Sequence, residues 1–188
     1  MTIVPPLDEK VVLLARALQA AKLPYAFGGA IALGYYAVPR VTIDVDINVF
    51  IAPNDVDVVV AAFRDLDVTA DDVQLDIARR DGQVRLRWGL SPVDLFCAYD
   101  KFHFNAAKRV RVVPFRPDDI PILAGEDLMV CKIVFDRRKD WLDIEQMLLL
   151  NVGVLDLDDV RRWVTAIVGA DDARLARFER AVTEVLGA

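Results

Sequence analysis

The segment that most constrains the fold is residues 38–50, VPRVTIDVDINVF. Apolar residues alternate there with Asp44, Asp46 and Asn48, which is the pattern of a β-strand buried on one face. We predict a strand over 41–51 whose polar face carries both carboxylates, roughly 7 Å apart. Like charges on one face repel each other, and a divalent cation between them removes that cost. The alternative is an edge strand whose solvated acids discourage aggregation.

A second segment, SPVDLFCA at 91–98, repeats this design, with apolar residues on one face and Asp94 on the other. If this strand pairs beside the first, Asp94 joins Asp44 and Asp46. Three carboxylates can hold two Mg²⁺ or Mn²⁺ ions roughly 3.5–4 Å apart, an arrangement that serves in-line attack on a phosphorus atom. Taken alone, Asp94 is better explained as a surface acid after a turn.

A pair of glycines precedes the acids, in YAFGGAIALGYY at 25–36. This segment predicts a short strand, a turn at Gly28 and Gly29, and a short helix. Glycines let the backbone approach an anion closely, and the N–H groups of a helix start face it, so the turn is a candidate phosphate cradle. Many turns contain two glycines, but a pair followed by Asp-x-Asp on a strand is more specific. Arg40 and Thr42 lie on the acidic face, where they contact phosphate or orient Asp44; strand formation explains Thr42 equally well.

The pattern becomes helical from Gly125 onward, and Lys132 falls on an apolar stripe of the helix predicted at 126–135. A lysine on a face that is expected to be buried needs a reason. Its ammonium either reaches solvent at the helix edge or meets a triphosphate or a site carboxylate.

Charged residues follow this helix directly. Arg137, Arg138 and Lys139 either meet phosphates or form an exposed basic turn. Asp140 and Asp143 lie at the start of the next predicted helix, where carboxylates interact favourably with the helix dipole.

Strands and helices alternate early in the chain and helices dominate later. This order indicates an α+β (or α/β) fold, with a small mixed sheet and helices followed by a helical C-terminal part. A chain of 188 residues is long enough for one domain with a sizeable core. We place the core at 1–122 and the helical part, packed on it, at 123–188.

The composition narrows the class of protein. The formal net charge of −6 predicts poor non-specific affinity for nucleic acid, and a single histidine, His103, argues against a histidine-based metal site or a Ser-His triad. The longest apolar run, at 147–155, is far short of the roughly 20 residues that span a membrane. The N-terminus also lacks the layout of a signal peptide. We expect a cytoplasmic protein with reduced Cys97 and Cys131 and no membrane partner.

These motifs together resemble a known family. FGGAIALGYYAVPRVTIDVDINVF at 27–50, with VDLF at 93–96, resembles the nucleotidyltransferase signature of the DNA polymerase β superfamily. The form R-x-T-x-D-x-D is similar to the toxin nucleotidyltransferases of AbiE and MenT type and to the antibiotic nucleotidyltransferases. Residues 126–148 resemble the toxin branch, in which a helical lysine precedes an Arg-Lys-Asp stretch and a further Asp. The spacing from Lys132 to Asp143 is shorter here than in the larger toxins.

The resemblance implies a polymerase-β-like fold and an NTP-dependent enzyme of EC 2.7.7 type, with ATP among its candidate nucleotides. Mg²⁺ or Mn²⁺ binds to Asp44, Asp46 and Asp94, and Asp94 draws a proton from the acceptor hydroxyl. Attack on the α-phosphate then releases pyrophosphate. The candidate catalytic residues are Asp44, Asp46, Asp94, Lys132 and Asp143. The candidate nucleotide-binding residues are Gly28, Gly29, Arg40, Thr42, Lys132, Arg138 and Asp140.

The toxin branch also implies an acceptor and a partner. Its acceptor is the 3′ end of tRNA, so the chain would be a toxin that blocks translation and is restrained by an antitoxin protein. Cationic clusters at 79–87, 101–111 and 137–139 either guide RNA or form solvated faces. One alternative is a nucleotidyltransferase acting on an aminoglycoside or lincosamide, which the acidic total fits better. Another is a non-catalytic, antitoxin-like protein of this fold that works by binding a partner, although three converging carboxylates argue against it.

Overall fold

The computed structural model describes residues 5–187. The chain forms two compact units, one made of residues up to 31 with 41–123, and one made of residues 32–40 with 124 onward. None of the helices in the described part is long and apolar enough to cross a membrane.

The first unit contains a six-stranded mixed sheet in the order β3-β4-β2-β1-β6-β5. Its strands are β1 (Tyr25–Phe27), β2 (Val45–Val49), β3 (Gln83–Leu86), β4 (Val93–Cys97), β5 (Arg111–Phe115) and β6 (Asp118–Ile122). The pairs β2–β4 and β1–β6 are parallel, and the other pairs are antiparallel. The two strands that carry Asp46 and Asp94 are therefore neighbours, although 43 residues of chain separate the end of β2 from the start of β4.

The helices of this unit are α1 (Leu7–Ala20), α2 (Gly29–Leu33), α3 (Val56–Ala62), α4 (Asp72–Asp81) and α5 (Lys101–Ala106), with a 3₁₀ turn at Pro53–Asp55. The last residues of α2 belong to the second unit. Helix α1 buries Val11, Leu14 and Leu18 completely, as its helical spacing predicts.

Strand β2 begins later than the sequence indicates. The expected strand covered 41–51, but the ladder starts at Val45, and Val41 and Ile43 are 94% and 61% exposed. The cause is a local turn, since the backbone N–H of Asp44 donates to Thr42 Oγ1 at 3.2 Å and that hydroxyl donates to the Asp44 carbonyl at 3.3 Å. A threonine that bonds the backbone two residues away competes with strand pairing.

The described part of the second unit is helical, with α6 (Gly125–Phe135), α7 (Arg138–Leu150), α8 (Leu157–Val168) and α9 (Ala173–Leu186). Its core includes Leu128, Ile133, Ile144, Met147, Val160, Val164 and Phe178. The segment 32–40 joins these helices partly through Asn151, whose amide donates to the carbonyls of Tyr36 at 2.6 Å and Met147 at 2.8 Å.

Candidate active site

Two predicted site carboxylates lie side by side in the sheet. Asp46 of β2 is directly opposite Asp94 of β4 in the parallel register. Both point away from the core, because their neighbours Val45, Ile47 and Leu95 are completely buried on the other face. Adjacent strands are about 4.8 Å apart, so the two side chains share one small patch of the surface.

Arg85 adds a positive charge to this patch. It lies on β3, opposite Asp94 in the antiparallel register. Its Nε donates to Asp94 Oδ1 at 2.7 Å, its Nη2 donates to Asp94 Oδ2 at 2.6 Å, and the same Nη2 is 3.8 Å from Asp44 Oδ2. The hydrogen bond to Asp94 raises the pKa of the Arg85 guanidinium, and the charges of Asp94, Asp44 and Asp46 raise it further. The guanidinium is thus the counter-ion of the carboxylate cluster, by which we mean Asp44, Asp46 and Asp94.

The two glycines allow the backbone to approach Asp46. The N–H of Gly28 donates to the Asp46 carbonyl at 2.9 Å. Gly29 has a φ of +50°, and a Cβ at this position would lie 1.8 Å from Asp46 Oδ2. Residue 29 must therefore be glycine for two reasons, its left-handed backbone and the carboxylate that lies against it.

A metal ion is implied by the nucleotidyltransferase resemblance, and the carboxylate cluster can be tested for it. Within residues 5–187, no group of three or more His, Cys, Asp and Glu side chains is arranged to hold a metal. Mg²⁺ is, however, commonly held by one or two carboxylates together with substrate phosphates. Arg85 already contacts Asp94 and lies near Asp44, so one cation can approach both acids at once. The oxygen donors fit Mg²⁺ or Mn²⁺, and the three-carboxylate, two-metal site stays a prediction.

Four of the remaining predicted residues, Arg40, Lys132, Asp140 and Asp143, form a second cluster with Arg137, within the helical unit. Lys132 Nζ donates to Asp143 Oδ2 at 2.6 Å and lies 3.8 Å from Asp140 Oδ1. Arg40 Nε and Nη2 donate to Asp143 at 3.1–3.3 Å. Arg137 Nε donates to Asp140 Oδ2 at 2.7 Å. We call these five residues the helical ion network; it combines three cations with two carboxylates.

This network decides between the alternatives for Lys132. The residue is only 3% exposed, so its ammonium does not reach solvent along the helix edge. It meets a carboxylate instead, which is one of the two interpretations that its apolar surroundings allowed. Asp140 and Asp143 are buried as well, whereas Arg138 is exposed at the start of α7.

Sequence reasoning grouped Arg85 with surface cations and missed its place in the carboxylate cluster. A usable signal was present in QVRLRWG at 83–89, where Val84 and Leu86 alternate with Arg85 and Arg87. If that strand forms a hairpin with the strand of Asp94, the arginines share the acidic face. The two strands do pair in this way.

Comparison with known proteins identifies the fold. No family model and no curated protein sequence matches the chain. Its structure is similar to the antibiotic-resistance factor ANT(2'')-Ia, with a TM-score of 0.60 and 13% identity over 92% of this chain and 95% of that one. It is also similar to ANT(2'')-Ia in complex with adenylyl-2''-tobramycin, with a TM-score of 0.53 and 14% identity over 92% of this chain and 97% of that one.

A further similar structure is the lincomycin-bound lincosamide antibiotic adenylyltransferase LnuA. Its TM-score is 0.51 at 12% identity, over 81% of this chain and 99% of that one. The chain therefore has the polymerase-β-like nucleotidyltransferase fold, which confirms the predicted fold class. Identities this low show the fold alone, and the AbiE or MenT type stays a prediction.

Proposed function

We propose that the protein is a divalent-metal-dependent nucleotidyltransferase that transfers a nucleoside monophosphate from an NTP to a hydroxyl group. The observation that carries this proposal is the register of Asp46 opposite Asp94, within a nucleotidyltransferase fold and beside a glycine turn that closes on Asp46. A carboxylate pair at this place has no role in the core, because it lies on the face opposite the buried residues.

The residues of the sheet unit have separate roles in the proposed reaction. Asp44 and Asp46, completed by Asp94, would hold the divalent metal, which when bound neutralises charge on the triphosphate and on the leaving pyrophosphate. Asp94 accepts the proton of the acceptor hydroxyl as that oxygen attacks the α-phosphorus. The glycine turn brings the backbone of Gly28 and Gly29 against Asp46 and so fixes the place of that carboxylate. Catalysis then consists mostly of positioning and charge neutralisation.

The acceptor that the charges favour is a small cationic molecule. The cationic cluster at 79–87, a candidate guide for RNA, is largely neutralised within the protein, since Arg79 pairs with Asp57 and Asp76 and Arg80 pairs with Asp81. Arg85 pairs with Asp94. A net charge of −6 also attracts cations. The similar structures include one with adenylylated tobramycin and one with lincomycin, which supports an antibiotic-like acceptor.

The second candidate is the RNA-modifying toxin, acting on the tRNA 3′ end and restrained by an antitoxin. It is favoured by the R-x-T-x-D-x-D motif and by Arg138 and Lys139, which are exposed beside each other at the start of α7. Lys132 and Asp143 are buried against each other in the helical unit, and their catalytic roles stay a prediction.

One experiment separates these functions. The protein is incubated with Mg²⁺ and each labelled NTP, with a panel of aminoglycosides and lincosamides in one arm and total tRNA in the other. We expect label on a cationic small molecule, and its loss in Asp46→Asn but not in Asp65→Asn, which removes the same charge from a side chain that is 90% exposed. Label on tRNA alone would establish the RNA candidate. Metal-dependent nucleotide binding without transfer to any acceptor would contradict the proposed enzyme and favour a non-catalytic role.

A further inference from the structure

The two partners in the contact between Arg85 and Asp94 differ in their exposure to solvent. Both oxygens of Asp94 accept hydrogen bonds from the guanidinium, and this bidentate pairing fixes the plane of the carboxylate. The Asp94 side chain is 16% exposed, whereas the Arg85 side chain is 60% exposed. The Asp94 carboxylate is thus largely shielded in the sheet surface, whereas most of the Arg85 side chain is open to solvent.

A divalent ion would use the same oxygens. An ion shared by Asp44 and Asp94 would lie where Arg85 Nη2 now lies, 2.6 Å from Asp94 Oδ2 and 3.8 Å from Asp44 Oδ2. Two cations cannot occupy this position together, because they repel each other and because the guanidinium already contacts both Asp94 oxygens. An ion at this position therefore requires that the guanidinium moves away.

We propose that Arg85 is a positioning residue that keeps Asp94 oriented and neutralised until a divalent ion displaces it. This inference rests on the proposed function, since it takes the carboxylate cluster as the metal site. It has a direct consequence, which is that Arg85 lowers the affinity of the nucleotide-free protein for divalent ions. Removal of its charge makes the ion bind more tightly.

The chain provides a matched control close to Arg85. Arg87 lies just past the end of β3, and the alternation of exposed and buried residues continues through it, so its side chain is on the same face as that of Arg85. It is exposed, and its backbone bridges to Thr69 rather than to β4. Arg87→Ala removes the same charge from the same face and leaves the pairing with Asp94 intact.

The test measures Mn²⁺ binding to the full chain without nucleotide. The electron paramagnetic resonance signal of free Mn²⁺ reports how much of the ion is bound. Wild type is compared with Arg85→Gln, which retains most of the aliphatic stem, with Arg85→Lys and with Arg87→Ala. We expect Arg85→Gln to bind Mn²⁺ at least about tenfold more tightly than wild type does. The reason is that the bidentate, charge-assisted hydrogen bonds between Arg85 and Asp94 no longer have to be broken. Arg85→Lys should lie between them, and Arg87→Ala should stay within a factor of about two, as expected for an exposed charge.

The outcomes separate this inference from the proposed function. Equal Mn²⁺ affinities for Arg85→Gln and Arg87→Ala would overturn the role of Arg85 and leave the metal site standing. No Mn²⁺ binding by wild type or by either Arg85 variant would overturn both. Circular dichroism spectra of the variants confirm that each is folded before binding is measured.

Discussion

The carboxylate cluster of the sheet unit and the helical ion network combine the same kinds of groups with different burial. In the first, the cation is Arg85, with a side chain that is 60% exposed. In the second, Lys132, Asp140 and Asp143 are all buried. An exposed cation can be exchanged for another cation at low cost, whereas a buried one cannot leave without stranding its partners. The comparison indicates that the first cluster is suited to ligand exchange and the second to holding the structure.

The largest expected effect comes from removing one acid of each cluster. Asp143→Ala leaves Lys132 buried beside Asp140 alone and leaves Arg40 unpaired, so we expect a loss of about 3–5 kcal/mol in the free energy of unfolding. Asp94→Ala loses a pair whose cation is 60% exposed and can return to water, and it also relieves repulsion with Asp46, so its cost should be about 1 kcal/mol or less. Urea unfolding measures both variants. Equal losses would mean that burial does not distinguish the two clusters.

A smaller effect is expected at the glycine turn of the sheet unit. Gly29→Ala must adopt a φ of +50° and place its Cβ 1.8 Å from Asp46 Oδ2, so both the backbone and the carboxylate have to shift. We expect a loss of about 1–3 kcal/mol in the free energy of unfolding, the usual range for such strain, together with weaker Mn²⁺ binding.

Gly153→Ala is the control for this variant. Gly153 also has a positive φ, +71°, but a Cβ there would meet nothing within 4 Å. It should therefore show the backbone cost of about 1–2 kcal/mol without any change in Mn²⁺ affinity. If Gly29→Ala binds Mn²⁺ as well as Gly153→Ala does, the carboxylate of Asp46 does not depend on the turn.

Local patterns in the sequence were sufficient for most of the fold and for the identity of the acids. The alternation in VDINV and VDLFC predicted which face of each strand is buried, and the helical spacing predicted α6 to α9. No element was predicted for the polar segment 67–82, which contains helix α4, although Asp71 and Gln74 form a capping box at its start. Its low apolar content hid a helix that is recognisable from its N-cap alone.

The pairing of strands that lie far apart in the chain could not be predicted from the sequence. That β2 lies beside β4 was a condition of the prediction, not a result of it, because no local pattern sets the order of strands in a sheet. The position of Arg85 depended on the same unknown pairing. The grouping of 32–40 with the helical unit, through Arg40 and Asp143, was likewise invisible, since the two residues are 103 positions apart.

The sheet unit also contains a buried cation whose hydrogen-bond acceptor is a carbonyl instead of a carboxylate. Lys10 of α1 is 1% exposed; its Nζ donates to the Trp88 carbonyl at 2.9 Å and lies 5.0 Å from the Trp88 ring centroid. Burial lowers the pKa of Lys10 from its ordinary value of 10.5. The unfolded chain then binds more protons than the folded one as pH approaches 10.5, so this residue makes stability rise with pH in that window.

We therefore expect the free energy of unfolding of wild type, minus that of Lys10→Met, to increase from neutral pH towards pH 10.5. The gain is about 1.4 kcal/mol for each unit between the folded and unfolded pKa values. Burial also raises the pKa of Cys97 to about 11 and that of Tyr25 to about 12, which lowers stability at high pH. Both proteins carry these two groups, so their contributions cancel in the difference. Urea unfolding under reducing conditions at several pH values provides the measurement. Parallel curves for the two proteins would show that Lys10 keeps its ordinary pKa, and that the Trp88 carbonyl and indole ring compensate the burial of its ammonium.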